Sequence, residues 1–283
     1  MTTQPDDLAR RLAGLYEALP ETVAVALGGS RGATGLGADA SSDVDLYVYT
    51  RATIPLEARR AVVATAGGAV RADMGLHFWG DGDEWVDAPT GIHVDAAYFD
   101  TGWMEGRIDA VLDRHEASLG YTTSFWHTVL GSIPLADRDG WLARLCERSD
   151  VPYPEGLRTN IVAFNRAAMR GVLPSYANQI GKAAARSDLV SVNHRLAGLL
   201  ASYFDVVFAV NRATHPGEKR LVEAALRTCP RLPDAMASDL EEILRTATTD
   251  LPGLPARVDR LLDRLDALLA AEGFTVGSRS ASS

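Results

Sequence analysis

The 283-residue sequence predicts an α+β chain, with strands and helices mixed in its first half and helices alone in its second. Three observations carry this. Strand-like and helix-like stretches alternate as far as residue 150. The run Asp150-Val-Pro-Tyr-Pro-Glu-Gly156 then breaks the pattern with turn chemistry. Beyond it, apolar residues recur only at helical spacing. The predicted domains are residues 1–150 and 151–275. A tail at 276–283, rich in serine and small residues, is expected to be disordered.

In chain order, Leu8, Leu12, Leu15, Tyr16 and Leu19 fall at helical spacing and predict an amphipathic helix over 6–19, stopped near Pro20. Val23, Val25 and Leu27 alternate with alanines, as a buried strand does. Val44, Leu46 and Val48 predict a second strand, and residues 55–65 a helix that Gly67-Gly68 ends. Residues 70–79 read as a strand, Asp81-Gly82-Asp83 as a turn, and Trp85-Val86 as a short strand. Residues 92–99 alternate again, with Ile92, Val94 and Ala96 on one face and His93, Asp95 and Ala97 on the other. A helix over 102–118, an aromatic strand over 123–130, a short strand over 132–137 and a helix over 140–148 complete the first half. In the second half, residues 157–170, 175–186, 188–210, 218–228, 234–246 and 255–272 read as helices. The last carries the stripe Val258, Leu261, Leu262, Leu265, Leu268 and Leu269, which suits packing in a bundle.

Bulk properties narrow the class. Hydrophobic residues make up 47% of the chain, and no apolar run reaches the roughly 18 residues that span a bilayer. No secretory leader pattern opens the sequence. Cys146 and Cys229 match no metal-site spacing and are expected to be reduced thiols, so a cytoplasmic protein without membrane contact is expected. Net charge is −9, distributed as −11 over residues 1–150 and +2 over 151–283. An acidic first half argues against a nucleic-acid partner, whose binding needs many Lys and Arg contacts to phosphate.

The chemistry concentrates between Val23 and Tyr49. A strand leads into Gly28-Gly29-Ser30, and the next strand opens on Asp43-Val-Asp45. Alternation puts Asp43 and Asp45 on one face and Val44, Leu46 and Val48 on the other. Two neighbouring carboxylates repel unless a cation neutralises them, and a divalent ion does so readily. The glycine-rich turn offers backbone amides to phosphate. Together these features suggest chemistry on a nucleoside triphosphate.

Gly29-Ser30, twelve intervening residues and Asp43-Val-Asp45-Leu resemble the signature of the DNA polymerase β-like nucleotidyltransferase superfamily, whose smaller members include antibiotic-modifying and minimal nucleotidyltransferases. The segment Tyr203-Phe-Asp-Val-Val-Phe through Leu221 is similar to a helical domain of bacterial members. The resemblance implies a palm-like mixed sheet followed by a helical bundle. It also implies a third carboxylate on a neighbouring strand, where Asp95 falls. By the same resemblance, Asp43, Asp45 and Asp95 hold two Mg²⁺ ions, with Asp95 as ligand, general base or both. ATP is the expected nucleotide. Gly28 and Gly29 then let the backbone approach phosphate, Ser30 and Arg31 touch it, and Lys182 and Lys219, the two lysines of the chain, reach toward it. Trp126 and His127 form either an acceptor wall or packing. The implied reaction moves AMP to a hydroxyl of a small molecule, such as an antibiotic or natural-product intermediate. The alternatives are protein AMPylation of the toxin–antitoxin kind, with a protein as acceptor, and a non-catalytic nucleotide-binding protein of the same fold.

Overall fold

The structure is a computed structural model that describes residues 4–33, 43–78 and 80–275. The tail 276–283 and most of the loop between Ser30 and Asp43 lie outside the described residues, as does Trp79 at the end of the expected strand 70–79. The chain divides into two compact units. One comprises Met1–Asp113 with Phe125–Pro152; the other comprises Arg114–Ser124 with Tyr153–Ser283.

In the first unit, strands β1 (Thr22–Leu27), β2 (Val44–Thr50), β3 (Ala69–Leu76), β4 (Gly82–Asp87), β5 (His93–Asp100) and β6 (Ile133–Asp137) form one sheet in the order β3-β4-β5-β2-β1-β6. The β2–β5 pair is parallel and all other pairs are antiparallel, so the sheet is mixed. Helices α1 (Gln4–Glu17) and α2 (Leu56–Thr65) cover one face. Alternation decides which side chains meet them: Val44, Leu46 and Val48 of β2 and Val94 and Ala96 of β5 are buried with Leu8, Leu12 and Tyr16 of α1. Asp6 and Asp7 in the first turn of α1 suit the positive end of its dipole.

A buried polar network crosses this core. Arg59 of α2 pairs with Asp83 of β4 at 3.1 Å, and the Tyr98 hydroxyl donates to the same carboxylate at 2.7 Å. Tyr98 and Tyr16 share a further hydrogen bond of 2.7 Å, which ties α1 into the group. The turn expected at Asp81-Gly82-Asp83 yields to β4 at Gly82, because Asp83 is the acceptor that Arg59, Tyr98 and the Gly75 amide require. On the opposite face, α3 (Thr101–Leu112), α4 (Ser124–Gly131) and α5 (Trp141–Ser149) bring Trp103, Phe125 and Trp141 against an aromatic group around Phe99 and Tyr49.

The expected strand over 123–130 is helix α4. Its aromatic and β-branched residues favour strands in isolation, but that preference follows packing. Here Trp126 and Val129, three residues apart, bury one helical face, and the Trp126 indole donates to the Ser149 carbonyl at 2.8 Å.

The second unit contains α6 (Glu155–Met169), α7 (Tyr176–Ala185), α8 (Leu189–Val210), α9 (Leu221–Thr228), α10 (Met236–Thr246) and α11 (Leu254–Ala271). Asp188 caps α8 by accepting from the Ser191 amide. The C-terminal half of α8 is buried on all sides, with α6 and α7 packed along it. Arg166 of α6 and Arg170, which caps its C-terminus, pair with Asp259, Asp263 and Asp266 of α11. No described helix is long and apolar enough to cross a membrane.

The segment 114–124 belongs to this helical unit, although a division near residue 150 would leave it with the sheet. Hydrogen bonds explain the placement. The Thr122 amide and hydroxyl both donate to Asp205 of α8, at 3.0 and 2.6 Å, and the Gly120 amide donates to Asn165 of α6 at 3.0 Å.

Candidate active site

The turn after β1 is built by close approach. The Gly28 amide donates to the Asp45 carbonyl at 2.9 Å, and the Gly29 amide donates to the Tyr47 hydroxyl at 3.2 Å. A Cβ on Gly28 would lie 2.0 Å from the Tyr47 ring; one on Gly29 would lie 1.9 Å from the Asp45 carboxylate. Gly29 also holds φ at +56°, in the left-handed region that favours glycine. Both glycines are therefore steric necessities, and both amides are committed to acceptors on β2. Ser30 follows in a single turn of 3₁₀ helix, half-buried. Arg31 donates from Nε to the Asp43 carbonyl at 3.2 Å and has Nη1 3.8 Å from Asp6. Its side chain is only 8% exposed, so it braces the turn against the start of β2.

Asp45 and Asp95 are register partners on the parallel strands β2 and β5. Their neighbours Val44, Leu46, Val94 and Ala96 fill the core, so both carboxylates occupy the other face. The row continues across the sheet: Glu84 of β4 pairs with Asp95, and Asp73 of β3 pairs with Glu84. Tyr47, on the same face, feels this charge. Burial pushes its hydroxyl above the ordinary phenol value, the Gly29 amide pulls the other way, and Asp45 and Asp95 add to the rise. Tyr47 is thus protonated at neutral pH.

Asp43 lies one residue before β2 and is exposed. Among the described residues no three His, Cys, Asp or Glu side chains are gathered closely enough to hold a metal ion. The carboxylate chemistry of Asp45 and Asp95 suits a hard cation such as Mg²⁺, and a three-carboxylate set requires the Asp43 side chain to join them.

Beside Asp95 opens a cavity of about 850 Å³. Asp73, Glu84 and Asp95 line it together with Phe99, Trp103 and Phe125. Of these, only Asp95 stands out from the sequence pattern. Phe99 shares the Asp95 strand face, a signal that alternation alone contains, but the alignment of Glu84 with Asp95 depends on strand register.

The remaining predicted residues lie elsewhere. Trp126 is 2% exposed and packs within the first unit, so it offers no wall to a ligand. His127 is on α4 rather than on a strand, and burial pushes its pKa down to about 4, leaving it neutral at pH 7. Lys182 on α7 and Lys219 in the loop before α9 are exposed and belong to the helical unit.

No family model and no curated protein matches the chain. The chain is similar to a solved structure described as a nucleotidyltransferase-like protein from Exiguobacterium sibiricum 255-15. Identity is 16%, over 94% of this chain and 74% of that one, with a TM-score of 0.44.

Proposed function

We propose that the protein is a nucleotidyltransferase that moves a nucleoside monophosphate, AMP from ATP, to a hydroxyl of a small molecule and releases pyrophosphate. The observation that carries this reading is the in-register pair Asp45 and Asp95 on adjacent parallel strands, with the Gly28-Gly29-Ser30 turn packed directly over Asp45. Asp45 and Asp95, joined by Asp43, would hold two Mg²⁺ ions. Such ions supply charge neutralisation for in-line displacement at the α-phosphorus.

The chain's own groups divide the remaining work. With the Gly28 and Gly29 amides engaged by Asp45 and Tyr47, phosphate recognition on this turn falls to the Ser30 hydroxyl. Asp95 lines the cavity in which an acceptor would sit, and we assign it the acceptance of the proton from the attacking hydroxyl. A cavity of about 850 Å³ suits a small molecule better than a protein side chain in its surrounding backbone, which favours a small acceptor over AMPylation of a protein.

The test is pyrophosphate release from ATP and Mg²⁺ with a panel of hydroxyl compounds, paired with mass spectrometry for an added AMP. Asp45→Asn and Asp95→Asn should each abolish release while the protein stays folded. Unchanged release in either variant overturns the assignment.

A further inference from the structure

The cavity beside Asp95 carries two kinds of surface that the transfer reaction itself does not require. The first is aromatic. Phe99 and Trp103 stack with ring centroids 6.0 Å apart and planes within 5°, and Phe125 stands edge-on to Trp103 at 4.8 Å. Trp103 is 45% exposed, and Phe78, which also lines the cavity, is 79% exposed. These rings are therefore open to a ligand. The Arg107 guanidinium already lies 5.7 Å from the Phe125 centroid, so this shelf tolerates a cation against a ring.

The second surface is anionic. Six carboxylates and one arginine line the cavity. Most of these carboxylates have work to do. Asp73 pairs with that arginine, Arg71, at 2.9 Å, Asp81 bonds His77, Asp83 pairs with Arg59, and Asp100 caps α3. Glu84 differs. It is exposed, sits between Asp73 and Asp95 in the row, and takes no cationic partner among the described residues. A carboxylate in that position, facing a cavity with aromatic walls, is matched by a ligand that joins a flat ring to an ammonium group. A carboxylate- or phosphate-bearing ligand would meet repulsion from the whole row.

We propose that the cavity selects an acceptor carrying a protonated amine next to an aromatic or similarly flat ring, with Glu84 binding the ammonium and the Phe99–Trp103–Phe125 shelf holding the ring. This deepens the transferase reading, since the cavity would then decide which hydroxyl compound Asp95 meets. The ligand's hydroxyl is a third element, needed for transfer but not for binding, so binding and turnover are separable.

The experiment uses three probes that differ at one position: tyramine, N-acetyltyramine and 4-hydroxyphenylacetate. Each is titrated into the full-length protein by calorimetry at low salt, without ATP or Mg²⁺. Tyramine is expected to bind at least tenfold tighter than N-acetyltyramine, and 4-hydroxyphenylacetate more weakly still. Glu84→Gln should cost tyramine about tenfold and leave N-acetyltyramine unchanged, a split that mere structural damage would not produce. Trp103→Ala should weaken tyramine and N-acetyltyramine alike. Equal affinity for the three probes, no tyramine binding at millimolar concentration, or an equal loss for both amine forms in Glu84→Gln overturns the proposal. Cation-selective binding in a protein that releases no pyrophosphate would overturn the transferase reading and leave the pocket assignment standing.

Discussion

The Asp45 carboxylate occupies the space that a side chain on Gly29 would need: a Cβ there would lie 1.9 Å from Oδ2. Gly29→Ala must therefore move Asp45 and also strain a backbone held at φ +56°. The strain alone costs about 1–2 kcal/mol. The expected result is a modest loss in urea stability together with a loss of pyrophosphate release roughly as large as that of Asp45→Asn. A variant that keeps full turnover would show that the carboxylate can work from another position.

Tyr47 joins the turn to the acidic row through its hydrogen bond from Gly29. Tyr47→Phe removes one hydrogen bond, worth about 0.5–1.5 kcal/mol. It also leaves the Gly29 amide without its protein acceptor. ATP binding, measured as KM separately from kcat, should shift while kcat changes little. Equal changes in both would place Tyr47 in the chemical step instead.

Below the sheet, Asp83 is fully buried and Arg59 is 7% exposed. Asp83→Ala would strand the guanidinium in the core, and breaking a buried pair from one side costs about 3–5 kcal/mol. Tyr98→Phe, which removes the 2.7 Å bond to the same carboxylate and the 2.7 Å bond to Tyr16, should cost about 1–3 kcal/mol. Urea midpoints of the two variants, compared with wild type, check the order.

Asp205 gives the helical unit a pH dependence with a definite sign. Burial raises its pKa from 3.8 to about 6, against the hydrogen bonds from Thr122 and Asn165 that hold it down. The folded state thus binds the proton more tightly than the unfolded chain. The resulting stabilisation is complete below about pH 4 and is lost as pH rises through about 6. Asp205→Asn does not titrate, so wild type should gain on the variant by on the order of 1–3 kcal/mol between pH 7 and pH 4. A constant difference across that range would contradict the assignment.

Much of the site was legible because alternation is a local property. Val44-Asp45-Leu46 and Val94-Asp95-Ala96 each state which face is wet, and burial in the fold follows that reading. Register is not local. Nothing in the sequence aligns Glu84 with Asp95 or Asp73 with Glu84, because those pairings depend on how the β3–β4 hairpin closes and where β4 meets β5. The helix α4 was hidden for a related reason. Thr123, Phe125, Trp126 and Val129 have strand-forming side chains, and only the burial of Trp126 and Val129 on one helical face decides the matter. The role of the glycines was half visible: the turn was evident, but that Tyr47 and Asp45 fill the space beside Gly28 and Gly29 was not.

The bond between Thr122 and Asp205 spans 83 residues, and it orders events on the ribosome. Segment 114–124 emerges before α4, β6 and α5 have completed the sheet unit, yet its acceptor on α8 has not been made. All residues of the sheet unit therefore precede the acceptor of the loop inserted in it. The docking of that loop waits until translation has passed Asp205, when nearly three quarters of the chain exists.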